Sequence, residues 1–377
     1  MRSRRGYGMV IGFVTAAGCL AAAALTGVLG SGAAAGAVST VQVGTAAVRA
    51  IPAVGNPTGN VAVPAAGRAV NTKHPTRVIG HGTPASCTSA AVVKAVAAGG
   101  IITFNCGPKP VTITMTATAK VVNTSHQVVL DGGGKVTLNG AGKTRILYMN
   151  TCDPKQKYTT NDCWEQQWPL LVVQNLTFKN AYSATKQTAT SNYGGGAIFD
   201  EGGQLKVVNS VFTGDRCYAS GPDLGGGAIR AVGMYMGAVV YITHDTFSGN
   251  SCSNGAALSG LYARFGVFNS LFTKNKAIGW GANPASAGTP GGGSGGAIYT
   301  DGNHYSLIIA GTAMSGNTAR EGGGAIFFVV NAGGGQLKIK YSKLTKNPSG
   351  QFQNAPGIFD SVDGADVQPV VVHSTIS

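Results

Sequence analysis

Charge is what this chain has least of: 11% of its 377 residues are charged, and the acids number only 14. No cluster of carboxylates is visible that would hold Ca²⁺, so no cofactor is expected and Ca²⁺ is left open. Cys-x-x-Cys pairs are absent and histidines number six, which argues against a structural zinc. No run of consecutive basic residues suggests a nucleic-acid arm, and no nucleic-acid partner is expected. Beyond the N-terminus no segment is long and apolar enough to span a bilayer.

The shortage of acids leaves a formal net charge of +14. Outside a cell, a basic surface suits anionic glycans, cell-wall polymers or membrane surfaces, or serves solubility alone. Glycine is abundant, at 58 residues with no collagen-like triplet, and 44% of the chain is hydrophobic, so a folded but turn-rich protein is expected.

Residues 1–37 read as a secretory signal: Met1-Arg-Ser-Arg-Arg5, an apolar run from Val10 to Leu29, then Gly32-Ala-Ala-Ala-Gly-Ala37. Ser3-Arg4-Arg5-Gly6-Tyr7 is a weak twin-arginine match, and Ala16-Ala17-Gly18-Cys19 a weak lipobox. About 20 apolar residues also suffice for an uncleaved anchor. Cleavage after Ala37 lowers the net charge to +11 and leaves Cys87, Cys106, Cys152, Cys163, Cys217 and Cys252. An even cysteine count in an exported chain predicts disulfides. Residues 38–85, rich in Ala, Val, Pro, Gly and Thr without periodicity, read as a flexible spacer, and residues 86–377 as one folded domain.

That domain opens with a short apolar helix, Ser89–Ala98, closed by Gly99-Gly100 and placed to cap the open end of a sheet. Thereafter short β-prone runs alternate with glycines, with no room for crossover helices. Gly-Gly-Ala-Ile recurs at 195–198, 226–229, 295–298 and 323–326, with Gly255-Ala-Ala-Leu258 as a degenerate copy. Between these marks a large apolar residue stands three positions before Asn or Asp: Phe212 and Asp215, Phe247 and Asn250, Phe272 and Asn275, Met314 and Asn317, Leu344 and Asn347. A helix-free repeat of roughly 28 to 40 residues predicts an all-β solenoid, a right-handed parallel β-helix. Cys217 and Cys252 each follow their repeat phenylalanine by five residues. Stacking puts them at one corner of successive coils, with Cα atoms about 5 Å apart, as a disulfide requires. Proximity in sequence pairs Cys87 with Cys106 and Cys152 with Cys163.

These motifs resemble the pectin lyase-like right-handed β-helix superfamily, and within it proteins with polymorphic outer-membrane-protein repeats, over roughly residues 87 to 360. Val128-Val-Leu-Asp-Gly-Gly-Gly-Lys135 and the residues to Arg145 resemble that superfamily's first coils. The resemblance implies a fold and leaves chemistry open, since its members include polysaccharide lyases, glycoside hydrolases, adhesins and passenger domains. A secreted or cell-surface monomer that binds a polysaccharide or cell-wall glycan of anionic character is expected: a lyase, or an adhesin without catalysis.

A lyase needs a base and a cation to stabilise the anion it forms. Counted from the repeat alanines, Phe199, Arg230, Ser259, Tyr299 and Phe327 share one offset, and Glu201 and Asp301 lie two residues further. Alternation puts both sets on one outer face, making Arg230, Glu201 and Asp301 with Tyr299 the first candidates. A one-residue parity shift would put Asp200 in that row instead of Glu201. Glu201 and Asp301 fall three coils apart, roughly 14 Å, too far for a glycosidase pair. His244 beside Asp245 is a further candidate base, provided a turn brings them together. Trp164, Trp168 and Trp280 all fall in insertions, where they either stack on sugar rings or plug loops.

Overall fold

A computed structural model describes residues 54–157, 160–185, 193–281 and 291–377. The proposed signal and the first part of the spacer lie outside the described residues. The chain is a right-handed parallel β-helix, and its coils run through three sheets joined along their edges. One coil passes through strand Ile229–Val232, strand Val239–Thr243, strand Thr246–Ser248 and the short strand Ser251–Cys252 before re-entering the first sheet at Leu258–Leu261. Ile229 pairs with Ile198 below and Leu258 above, so the repeat motifs lie in register.

The Gly-Gly pair has two physical reasons. Its first member adopts positive φ, at 77° in Gly226 and 68° in Gly295, a region in which a side chain is penalised. A Cβ on its second member would strike backbone carbonyls of the neighbouring coil, Ala256 for Gly227 and Gly324 for Gly296. The alanine and isoleucine that follow are fully buried in the core.

Inside the stack, Phe178, Phe212, Phe247 and Phe272 form a column of near-parallel rings 4.8 Å apart, the spacing of paired strands. Met314, Leu344 and Ile376 continue it in register. Three residues on, the side-chain oxygens of Asn250, Asn275, Asn317 and Asn347 each accept from the backbone N–H of the preceding coil's ladder residue. The amides of Asn250, Asn275 and Asn317 in turn donate to the next asparagine. The ladder satisfies corner N–H groups that would otherwise be buried without partners.

All three expected disulfides are formed, with Cα separations of 5.7 Å for Cys87–Cys106, 5.0 Å for Cys152–Cys163 and 4.8 Å for Cys217–Cys252. The helix Ser89–Ala98 is capped by the Thr88 hydroxyl, ends at Gly99 with φ 69°, and buries Val92 and Val96 in the core.

One expectation is corrected. Within the stretch read as a flexible spacer, residues from Asn56 to Thr72 form a strap along the coils. Asn56 bonds to Asn269 and Gly311, the Val61 N–H donates to Asn269, the Val70 N–H to Gln174, and the Thr72 hydroxyl to Asp131. Arg77–Ile79 then pairs with Ile102–Phe104 in the sheet that also holds Val239–Thr243. Polar side chains on the coil corners hold this segment by its backbone, which needs no apolar pattern of its own.

Candidate functional site

The predicted row exists. Lys120, Tyr148, Phe199, Arg230, Ser259, Tyr299, Phe327 and Phe359 occupy one register position across successive coils. Glu201 and Asp301 stand two residues on, joined through Val232 and Leu261. The parity is as expected: Asp200 turns inward, fully buried with neither oxygen hydrogen-bonded. Burial pushes its carboxyl far above the usual range, and the Glu201 charge adds to the shift.

Much of the row is inaccessible, which removes two candidates. Arg230 is 1% exposed, bonded to the Ser259 hydroxyl and lying over the Tyr193 ring at 5.7 Å. Its Nε has no partner among the described residues, and burial lowers its pKa against the opposing pull of Tyr193 and Tyr299. A guanidinium sealed in this way does not reach a polymer. Tyr299 is likewise buried, stacked on Phe327 at 4.9 Å and donating to Asp301 at 3.2 Å. Asp301 is held further by Asn331 at 2.6 Å.

The His244–Asp245 pair is also corrected. His244 sits at a corner with φ 55° and is exposed. Asp245 is fully buried, and its carboxylate accepts from the backbone N–H groups of Ser210 and Thr243, each at 2.7 Å. It belongs to a second corner ladder that continues through Ser270, Thr312, Ser342 and Ser374. The turn separates the two residues instead of joining them.

Open space lies over the first coils of the row and beside the strand ends of its middle coils. A pocket of about 620 Å³ is lined by Thr118, Lys120, Arg145, Tyr148, Lys155 and Glu201, among others. Lys120 and Lys155 are exposed. Arg145 is held rigid by bonds to the Gly195 and Gly194 carbonyls and the Ser183 hydroxyl, with its guanidinium 5.1 Å from the Phe199 ring. Burial brings its pKa down to about 10, so it stays cationic at neutral pH. The Tyr148 hydroxyl donates to Asp153 at 3.0 Å, and burial raises its pKa. Glu201 accepts from the Asn150 amide at 2.7 Å and the Trp164 indole at 3.1 Å. Burial raises the Glu201 pKa, offset in part by these two bonds and by Arg230.

A second cleft of about 470 Å³ follows, lined by Trp164, Glu165, Met234, Tyr262, Arg264 and His304, among others. Trp164 reaches it from the loop closed by Cys152–Cys163 and is 49% exposed. The other two tryptophans line neither space. Trp168 packs on His126 at 4.8 Å, and Trp280 lies under the Arg320 guanidinium at 5.6 Å.

Lys120, Arg145, Tyr148 and Lys155 escaped notice because the repeat motifs begin only at Gly195. The β-prone run Arg145-Ile-Leu-Tyr148, which leads into the strand Leu147–Asn150, carried the missing signal, since extending the row by one coil brings Tyr148 beneath Phe199. Among the described residues no three His, Cys, Asp or Glu side chains gather as a metal site, and no helix is long and apolar enough to cross a membrane.

Residues 269–301 match the Chlamydia polymorphic membrane protein repeat. The match spans both hallmarks, Phe272-Thr-Lys-Asn275 and Gly295-Gly-Ala-Ile298, the first supplying the ring column and the ladder and the second the corner. No curated protein and no solved structure matches the chain.

Proposed function

We propose that this protein is an exported, surface-exposed binding protein that recognises an anionic glycan through the pocket of Lys120, Arg145, Tyr148 and Lys155, without catalysing its cleavage. The observation that carries this reading is the contrast on one face. The open pocket gathers three cations, while the groups placed for lyase chemistry are sealed, held three coils apart or turned away from each other. The polymorphic-membrane-protein repeat supports a surface location. Two exposed lysines and a pre-positioned guanidinium suit carboxylate or sulfate groups on a polymer, and a half-buried arginine with fixed bonds pays little entropy on binding.

The test is binding of the chain from residue 38 to immobilised polygalacturonate and to a neutral glucan. The wild type is expected to bind the acidic polymer in a salt-dependent manner. Lys120→Glu with Lys155→Glu is expected to weaken binding at least tenfold with an unchanged thermal midpoint. Ultraviolet absorbance of unsaturated products separates the readings: its appearance would assign a lyase, and retained binding in the double variant would remove the pocket.

A further inference from the structure

The position that ends the Gly-Gly-Ala-Ile strands takes glycine on three coils, with Val330 and Val362 in register on later ones. Gly202 and Gly233 occupy it on successive coils, with φ of 71° and 51°. The next coil places Tyr262 there, with φ 53°. A bulky side chain in this region is costly, and such an outlier is informative when its surroundings hold it in place. Here they do, because the backbone and ring of Tyr262 pack directly against Gly302, where a Cβ would meet them at 2.9 to 3.1 Å. The ring is nonetheless 50% exposed, so burial offsets little of that cost.

One coil away, Gly233 performs a related service. Its missing Cβ leaves room for the Trp164 ring, whose atoms would lie 3.2 Å from a side chain there. Trp164 is fixed at its other edge by the indole bond to Glu201 at 3.1 Å and along the chain by the Cys152–Cys163 bridge. Two half-exposed aromatic faces are thus pinned one coil apart, about 5 Å along the stack. They flank a single cleft whose rim carries Asp162, Glu165, Arg264, Asn303 and His304, all exposed. Rigid aromatic planes beside mixed-sign hydrogen-bonding groups match the two sides of a pyranose ring, apolar C–H face and hydroxyl edge. The rim has no excess of cations to favour an acid.

We infer that the Trp164–Tyr262 cleft is a second subsite that stacks an uncharged pyranose, so that the ligand is a heteroglycan in which neutral sugars neighbour acidic ones. This rests on the anionic-glycan reading, with the acidic unit in the Lys120–Arg145 pocket. Glu201 lies between the subsites, touching Trp164 in one and lining the other. From its strand end to that of Tyr262 is two coils, roughly 10 Å, a span within one oligosaccharide.

The test uses the chain from residue 38, a hyaluronan octasaccharide as the alternating acidic and neutral probe, and an octagalacturonate as the purely acidic one. Wild type is expected to bind hyaluronan at least tenfold more tightly and to show protection of tryptophan fluorescence from acrylamide. Tyr262→Gly is expected to reduce hyaluronan affinity to within twofold of octagalacturonate, to leave octagalacturonate binding unchanged, and to keep or raise the thermal midpoint. A purely structural tyrosine predicts the reverse, a lower midpoint with the preference intact, and that result overturns the inference. Equal binding of the two probes by wild type overturns it too, while leaving the anionic pocket standing. Binding of neither probe sinks both.

Discussion

The corner ladders and the outer face of the repeat sheet are made by the same coils and obey opposite rules. At the ladders each coil repeats its neighbour: asparagine after asparagine, phenylalanine over phenylalanine, each bond donated to the coil above. On the outer face the residue changes from coil to coil, from Lys120 through Tyr148, Phe199 and Arg230 to Ser259 and Tyr299, and repeats only at Phe327 and Phe359. Repetition marks residues whose partner is the next copy of themselves. Variation marks the places where a coil meets something other than its own copy, a covering segment as at Arg230 beneath Tyr193 or open solvent as at Lys120.

The sharpest way to break this comparison is inside the ring column. Phe247→Ala removes a fully buried ring stacked on both sides at 4.8 Å, and is expected to cost about 3 to 5 kcal/mol in denaturant unfolding. Asn275→Ala follows, leaving the Asn250 N–H and amide without their acceptor and the Phe247 carbonyl without its donor. About 3 kcal/mol is expected. A loss below about 1 kcal/mol for either would mean that the repeats do not hold the coils together.

Asp215 sharpens the comparison from within. It begins the asparagine ladder, its N–H donating to Asn250 and one oxygen accepting from Ala181, while its other oxygen has no partner among the described residues. Burial raises its pKa well above the usual carboxylate range, against the opposing bond from Ala181. A raised carboxyl pKa stabilises the fold below the unfolded-state value, and that contribution is lost as pH rises through the folded-state value. Asp215→Asn supplies the missing donor. It is expected to gain about 1 kcal/mol at neutral pH and to flatten the decline of stability with pH, leaving the parts owed to Asp200 and Asp245. Thermal midpoints across pH for both proteins check this, and an unchanged slope would show that Asp215 is already paired.

On the outer face the effects fall on binding. Glu201 has a raised pKa, so lowering pH neutralises it sooner than an ordinary glutamate. Affinity for an acidic glycan is therefore expected to rise severalfold as pH falls from neutrality through that value. Glu201→Gln should flatten the profile. The smallest effect belongs to Arg230→Met, which replaces a sealed guanidinium and should change glycan affinity by less than about twofold; a large loss would return Arg230 to the site.

These rules also explain what could be read in advance. The Gly-Gly-Ala-Ile marks and the matched offsets of Cys217 and Cys252 report contacts between copies, so register, parity and disulfides were legible. Exposure was not, because Arg230 is buried by segments outside the repeat, including Tyr193 above its guanidinium. The strap from Asn56 to Thr72 was hidden for a related reason: it is held through backbone groups, which any sequence possesses, and by two isolated polar side chains, Asn56 and Thr72, that form no pattern. His244 and Asp245 do not meet because the positive-φ corner at His244 turns its own side chain out and that of Asp245 into a ladder.

The division between ladder and face is tested most directly by measuring unfolding free energy and acidic-glycan affinity on the same two proteins, Asn275→Ala and Lys120→Glu. The expected result is a crossing: the first loses stability and, while folded, keeps its affinity, and the second loses affinity and keeps its stability. If both quantities fall together in either variant, the glycan site is not separable from the stack, and the account given for the outer face is wrong.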